Sequence, residues 1–210
     1  MLTSFGDILH RDERILAIDK PAGLLSVPGI GPAKQDCLVS RVRVLFPGAR
    51  IVHRLDRDTS GVIVLALDAE AHRHLSIQFQ ERQASKTYIA VVHGVVDDDA
   101  GEIDLPIRKD LDSPPRQVVD HERGRPSVTR WRVLSRETDR TRLELAPVTG
   151  RSHQLRIHLR EIGHPILGDD LYAPPAVLAL ADRLLLHAHT LGLVHPGTAA
   201  PIRFTAPCPF

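Results

Sequence analysis

Apolar residues recur along this chain with two spacings, and the spacing assigns the elements. Ile15 to Ile18 is a brief apolar run closed by Lys20-Pro21 and Gly23, which predicts a short strand and a turn. From Ser26 to Pro32, two prolines and two glycines leave a loop. Leu38, Val39, Val42, Leu45 and Phe46 then share one helical face, with Asp36 expected as the cap and Pro47-Gly48 as the stop. Val62 to Leu67 is apolar on both faces, the pattern of a central buried strand. Asp68 is placed to cap a helix running to about Arg82, with Ala71, Leu75 and Phe79 facing inward.

Strands dominate the second half. Lys86 to Val96 reads as a long strand, and Glu102 to Ile107, Val128 to Leu134 and Arg142 to Ala146 alternate as an antiparallel sheet would. The segment 112–126, dense in proline and charge, predicts a loop or an irregular hairpin. Ser152 to Ile162 predicts a helix with Leu155, Leu159 and Ile162 inward and Gly163 as the stop. Pro174-Pro175 opens a short helix through Asp182, and Leu184 to Val194 reads as a last strand. Strands outnumber helices without strict alternation, so the expected class is α+β with a mixed, mostly antiparallel sheet and flanking helices. A length of 210 residues suits one domain spanning 1–210, and its 42% hydrophobic content can build a core without disulfide or metal staples.

Composition narrows the setting. The N-terminal stretch lacks a basic start followed by an apolar run, so no secretory signal is expected. Val62 to Leu67, the densest apolar run, is far too short to cross a bilayer. Cys37 and Cys208 are the only cysteines, which argues against a disulfide framework and fits a reducing cytoplasm. The formal charge is +1, yet Arg123 to Arg160 holds ten arginines against Glu137, Asp139 and Glu144. Such a block makes either a positive face for a phosphate backbone or a solvated arginine-rich surface.

Two polar segments carry candidate chemistry. In His53-Arg54-Leu55-Asp56, the nearby cation favours an ionised carboxylate that can serve as nucleophile or base. On that segment alone, a surface aspartate in a salt bridge is the simpler account. In Gly150-Arg151-Ser152-His153-Gln154-Leu155-Arg156-Ile157-His158, a helix start beside Arg151 could receive a carboxylate or phosphate. The twelve histidines show neither HExxH nor zinc spacing, so structural or surface roles are expected and no metal site is assigned. A kinase reading fails, because leucine interrupts the HRD order and the chain has no asparagine and no DFG.

Taken in order, the segments resemble the RluA-type RNA pseudouridine synthases. His53 to Val62 is similar to the HRLDxxTSG signature, and Lys86-Thr87-Tyr88 to a K-x-Y segment. Gly150 to His158 is similar to a GR-[ST]-HQ-[LI]-R-x-H segment. Lys20 to Leu24, His164 to Asp169 and Leu184 to Ala188 resemble the KP-x-G loop, the GHPI-x-GD turn and a late LLLHA strand. Arg57-Asp58 is a more highly charged pair than is usual at that place.

The resemblance implies the pseudouridine synthase fold with a central active-site cleft and no S4-type RNA-binding domain. It also implies a cofactor-free isomerisation of uridine in RNA. Asp56 would be the essential carboxylate, as nucleophile or as base at the ribose, with Arg151 paired to it. Arg54 would fill the stack left by a flipped nucleotide, Tyr88 would stack on the uracil, and Leu155 would line an apolar wall. The expected substrates are a 23S rRNA hairpin and the tRNA anticodon stem-loop, turned over in the cytoplasm by a monomer without membrane contact. The competing readings are a catalytically idle RNA-binding module on the same fold and a small-molecule hydrolase using Asp56 with a histidine.

Overall fold

The computed structural model describes residues 4–210. Two compact units emerge, one formed by residues up to Lys86 together with His187–Pro209, the other by Thr87–Leu186 with Phe210. In chain order the first unit contains β1 (Asp7–Arg11), β2 (Ile15–Lys20), α1 (Leu38–Leu45), β3 (Arg50–Ile51), β4 (Ser60–Ala66) and α2 (Ala69–Gln80). The chain passes to the second unit within β5 (Ser85–His93), which leads to β6 (Ala100–Asp104), β7 (Ile107–Lys109), β8 (Gln117–Val119), β9 (Val128–Arg136) and β10 (Arg140–Pro147). After α3 (Gln154–Glu161) and α4 (Pro175–Leu178) it returns within β11 (Leu186–Val194) and closes with β12 (Pro201–Thr205).

The first unit is built around β4, whose seven residues are all buried. It pairs antiparallel with β2 and β3 and parallel with β11, so this sheet is mixed. Helix α2 lays Ala71 and Leu75 on Val62, Val64 and Ala66, with Leu191, Leu193 and Phe204 completing the cluster. Each large side chain buried there contributes roughly 1.5–3 kcal/mol. Asp68 caps α2 as expected, accepting from the backbone N–H groups of Glu70 at 2.8 Å and Ala71 at 2.9 Å. The cap of α1 is Cys37 instead of Asp36, and Leu45 is exposed. Asp36 is drawn off by the Arg41 guanidinium, in a two-pronged pair at 2.7 and 2.5 Å.

The second unit is an antiparallel sheet in the order β5-β10-β9-β6. Leu155 and Leu159 of α3 pack with Ala90, Val92, Leu143 and Leu145. The expected strand from Glu102 to Ile107 is split into β6 and β7 by the linking Leu105-Pro106. Residues 107–119, expected in part as loop or irregular hairpin, form a two-stranded ribbon of β7 and β8. Its apolar side meets Ile157 and Tyr172, which explains why a short, charged ribbon holds its place. Helix α4 ends at Leu178, short of the expected Asp182. The edge strands β1 and β12 bury few residues, and their sequences gave no period to read.

Candidate active site

Asp56 sits in the turn between β3 and β4, and both neighbouring residues are fixed through their main chain. The Ser26 hydroxyl donates to Leu55 O at 2.7 Å, and Ser26 Oγ in turn accepts from the Leu55 N–H at 3.1 Å. On the other side, the Lys20 ammonium donates to the carbonyl of Arg57 at 2.9 Å. Lys20 has 0% exposure, and its other bonds go to Pro21 O and Leu24 O, both at 2.8 Å. Three ammonium protons thus meet three carbonyls, which satisfies the donor where burial would otherwise be costly.

The ends of the loop are anchored as firmly. His53 accepts from Val64 N–H at 3.0 Å through Nε2, so a neutral ring carries its proton on Nδ1. It stacks on Phe79 with centroids 4.5 Å apart. Burial, with the Lys86 cation adding to it, pushes His53 down to about 3. Burial also lowers the pKa of Lys86. At the far end, Ser60 Oγ donates to His187 Nδ1 at 2.8 Å, and His187 Nε2 donates to Ala206 O at 3.2 Å. Gly61 adopts φ +112°, and a Cβ there would lie 2.2 Å from Ala188 O on β11. Only glycine permits this approach of the two strands. Thr59 Oγ1 is buried without a hydrogen-bond partner.

Arg54 is exposed beside Asp56 in the first unit, and Arg57 pairs with Asp58 at the surface, at 3.0 Å. Tyr88 and Leu155 lie in the second unit, where Tyr88 packs against the apolar cluster that contains Leu155. Arg151 precedes α3, and its peptide is held twice by Gln154. Its N–H donates to Gln154 Oε1 at 3.0 Å and its carbonyl accepts from Gln154 N at 3.2 Å. The Arg151 Nε is buried and has no hydrogen-bond partner. A buried donor left over in a half-buried guanidinium suits a site that receives an acceptor from outside.

Several residues that structure the site were given no role from sequence. Lys20, Ser26, Gln154 and Arg156 all sit inside or beside the quoted motifs, yet their burial is not written in any period. Arg156 is enclosed with Asp169, at 2.8 and 2.5 Å, and lies 5.3 Å from the centre of the Tyr172 ring. His153, in the left-handed region at φ 55°, faces the Tyr172 hydroxyl at 2.8 Å. The readable signal was a charged residue between apolar neighbours, as in Leu155-Arg156-Ile157. Among the described residues no group of three or more His, Cys, Asp or Glu is set to hold a metal ion. His187 and His189 both donate to the carbonyl of Ala206. No helix among the described residues is long and apolar enough to cross a membrane.

Residues 14–161 match the family model described as RNA pseudouridylate synthase. The dual-specificity RNA pseudouridine synthase RluA of Yersinia pestis is 48% identical over 204 residues, covering 97% of this chain and 99% of that protein. Its namesake in Escherichia coli K12 is 46% identical, covering 97% of this chain and 93% of that protein. Among solved structures, human RNA pseudouridylate synthase domain containing 1 has a TM-score of 0.84 at 27% identity, over 100% of this chain and 86% of that one. Human RNA pseudouridylate synthase domain containing 4 follows with 0.78 at 28% identity, over 96% and 88%.

Proposed function

The chain belongs to the RNA pseudouridylate synthase family and has its fold, and on that premise we propose that Asp56 is the carboxylate with which it isomerises uridine in both ribosomal and transfer RNA. Family membership makes it an isomerase acting on RNA. The substrates proposed are a 23S rRNA hairpin and the tRNA anticodon stem-loop, following the dual specificity named for its relatives.

In the reaction the C1′–N1 bond breaks, the uracil turns, and a C1′–C5 bond forms. C5 loses a proton and N1 gains one, so the change is an isomerisation that consumes no co-reactant. Asp56 acts at the ribose. Arg151 is the proposed cation of the site, its orphaned Nε offering a donor. The target uridine must leave its stack, at a cost of a few kcal/mol. Arg54, exposed and planar, is proposed to fill the vacated place. Tyr88 would stack on the uracil and Leu155 would supply apolar wall beneath it.

The observation that carries this reading is the clamped loop. Ser26 and Lys20 fix the peptides on either side of Asp56, which is what a carboxylate needs to be aimed at one atom of a substrate. The test is tritium release from RNA labelled at uracil C5, with tRNA and 23S fragments offered separately to wild type and Asp56→Asn. Release by wild type and none by the variant, with RNA binding retained, is the expected result. Release by both would remove Asp56 from the chemistry, and binding without release by either would favour an idle RNA-binding module. We also propose a monomer; a stable dimer in light scattering would refute it.

A further inference from the structure

In the second unit a run of buried polar groups leads from the carbonyl of Leu105 to the main chain of Arg151. Only one arrangement of protons satisfies it. His158 Nε2 lies 3.0 Å from Leu105 O, and since a carbonyl only accepts, Nε2 carries the ring proton. In the neutral ring Nδ1 is then an acceptor, 2.9 Å from Thr129 Oγ1, whose hydroxyl donates to it. That turns a lone pair of Thr129 toward Gln154 Nε2 at 3.0 Å, while the second amide proton goes to Val128 O, also at 3.0 Å. Gln154 Oε1 is left facing the Arg151 N–H at 3.0 Å and the Thr149 hydroxyl at 2.7 Å. Thr149 Oγ1 accepts from Val128 N–H at 2.9 Å and closes the set.

We propose that His158 is a positioning residue for Arg151, acting through the Thr129 hydroxyl and the Gln154 side chain. If Thr129 pointed its proton at Gln154, it would ask for Oε1 there, and the turned amide would present Nε2 to the Arg151 N–H, donor against donor. By taking the Thr129 proton, His158 holds the amide the other way round, together with Val128 O. His158, Thr129 and Gln154 are all buried, so water does not readily repair a wrong orientation. The carboxylates that bear on His158 are Asp104 and Glu161, and with the Leu105 carbonyl they favour the cation; burial outweighs them and keeps the ring neutral. A protonated ring would turn Nδ1 into a donor competing with the hydroxyl proton of Thr129.

The inference rests on the proposed role of Arg151, and its test separates the two. Single-turnover tritium release and RNA affinity are measured for Arg151→Ala, Thr129→Val, His158→Asn, His158→Gln and the Thr129→Val/His158→Gln pair. Asparagine places an oxygen where Nδ1 stands and keeps an acceptor for Thr129. Glutamine reaches only the Leu105 carbonyl. Thr129→Val and His158→Gln should each slow release about tenfold with RNA affinity held within about twofold. The pair should be no slower than either alone, and His158→Asn should recover most of the rate lost in His158→Gln.

Equal losses for asparagine and glutamine, additive losses in the pair, or losses in affinity as large as those in rate would overturn the inference. An unchanged rate in Arg151→Ala would instead remove the reading beneath it. Should Thr129→Val fail to melt cooperatively, Thr129→Ser against Thr129→Ala makes the same comparison, since only serine keeps the hydroxyl.

Discussion

The ammonium of Lys20, wholly removed from solvent, lies 2.9 Å from the carbonyl oxygen of Arg57, the residue that follows Asp56. A buried cation thereby holds the backbone beside the proposed catalytic carboxylate, and two further carbonyls share it.

Replacing Lys20 with methionine keeps the apolar stem and strips the carbonyls of their donor. Stability to urea should fall by about 3 kcal/mol, and tritium release should slow because the loop loses its fixed peptide. Unchanged unfolding and unchanged rate would show that the loop is held by other means.

Gly61→Ala tests the approach of β11 to β4. The new Cβ would lie 2.2 Å from Ala188 O, at a φ of +112° that alanine avoids. A loss of roughly 3 kcal/mol or more is expected, read as a lower thermal midpoint. A midpoint near that of wild type would mean the two strands part at little cost.

Arg151→Ala should slow isomerisation about 100-fold, because the cation proposed to pair with Asp56 is lost. RNA affinity should fall only slightly, with the salt slope of binding almost unchanged. Parallel losses in rate and affinity would reduce Arg151 to a phosphate contact.

The pH dependence of stability follows from His53. Its folded pKa is depressed to about 3, below the ordinary value of 6.5, so the unfolded chain binds the proton more readily. The stabilisation is therefore complete above pH 6.5 and declines as acid is added toward 3, by at most about 2 kcal/mol at pH 5. His53→Gln keeps an acceptor for Val64 N–H without the titration, so its urea midpoint should change less between pH 7 and pH 5. Identical slopes for the two proteins would place the effect elsewhere. Asp12, held at about 2 because hydrogen bonds led by His10 outweigh its burial, adds its loss only below its ordinary 3.8.

Elements with a strong period were legible from the chain. The buried strand after Asp56, the helix capped by Asp68 and the alternating strands β9 and β10 all stand where the pattern put them. Asp36 shows where local reasoning gave way, since a guanidinium five residues along competed for the same carboxylate. The ribbon of β7 and β8 escaped clear assignment because its apolar partners, Ile157 and Tyr172, lie far along the sequence. For the same reason Gln154 and His158 were visible as motif letters but not as parts of one hydrogen-bonded set. Burial is a property of the neighbours, and a linear pattern names a residue's own character only.

Gly61 and Ala188 face each other across a parallel pair, and the Ser60 to His187 bond spans 127 positions of sequence. During synthesis, the strand that anchors the Asp56 loop therefore waits for β11 until most of the polypeptide has left the ribosome. Residues 87–186 can form most of their strand pairings while that wait continues, since β5, β10, β9 and β6 pair with one another. The half that carries the carboxylate would then be the last to assemble, so a nascent chain cut short before β11 would lack the support of its own reactive loop.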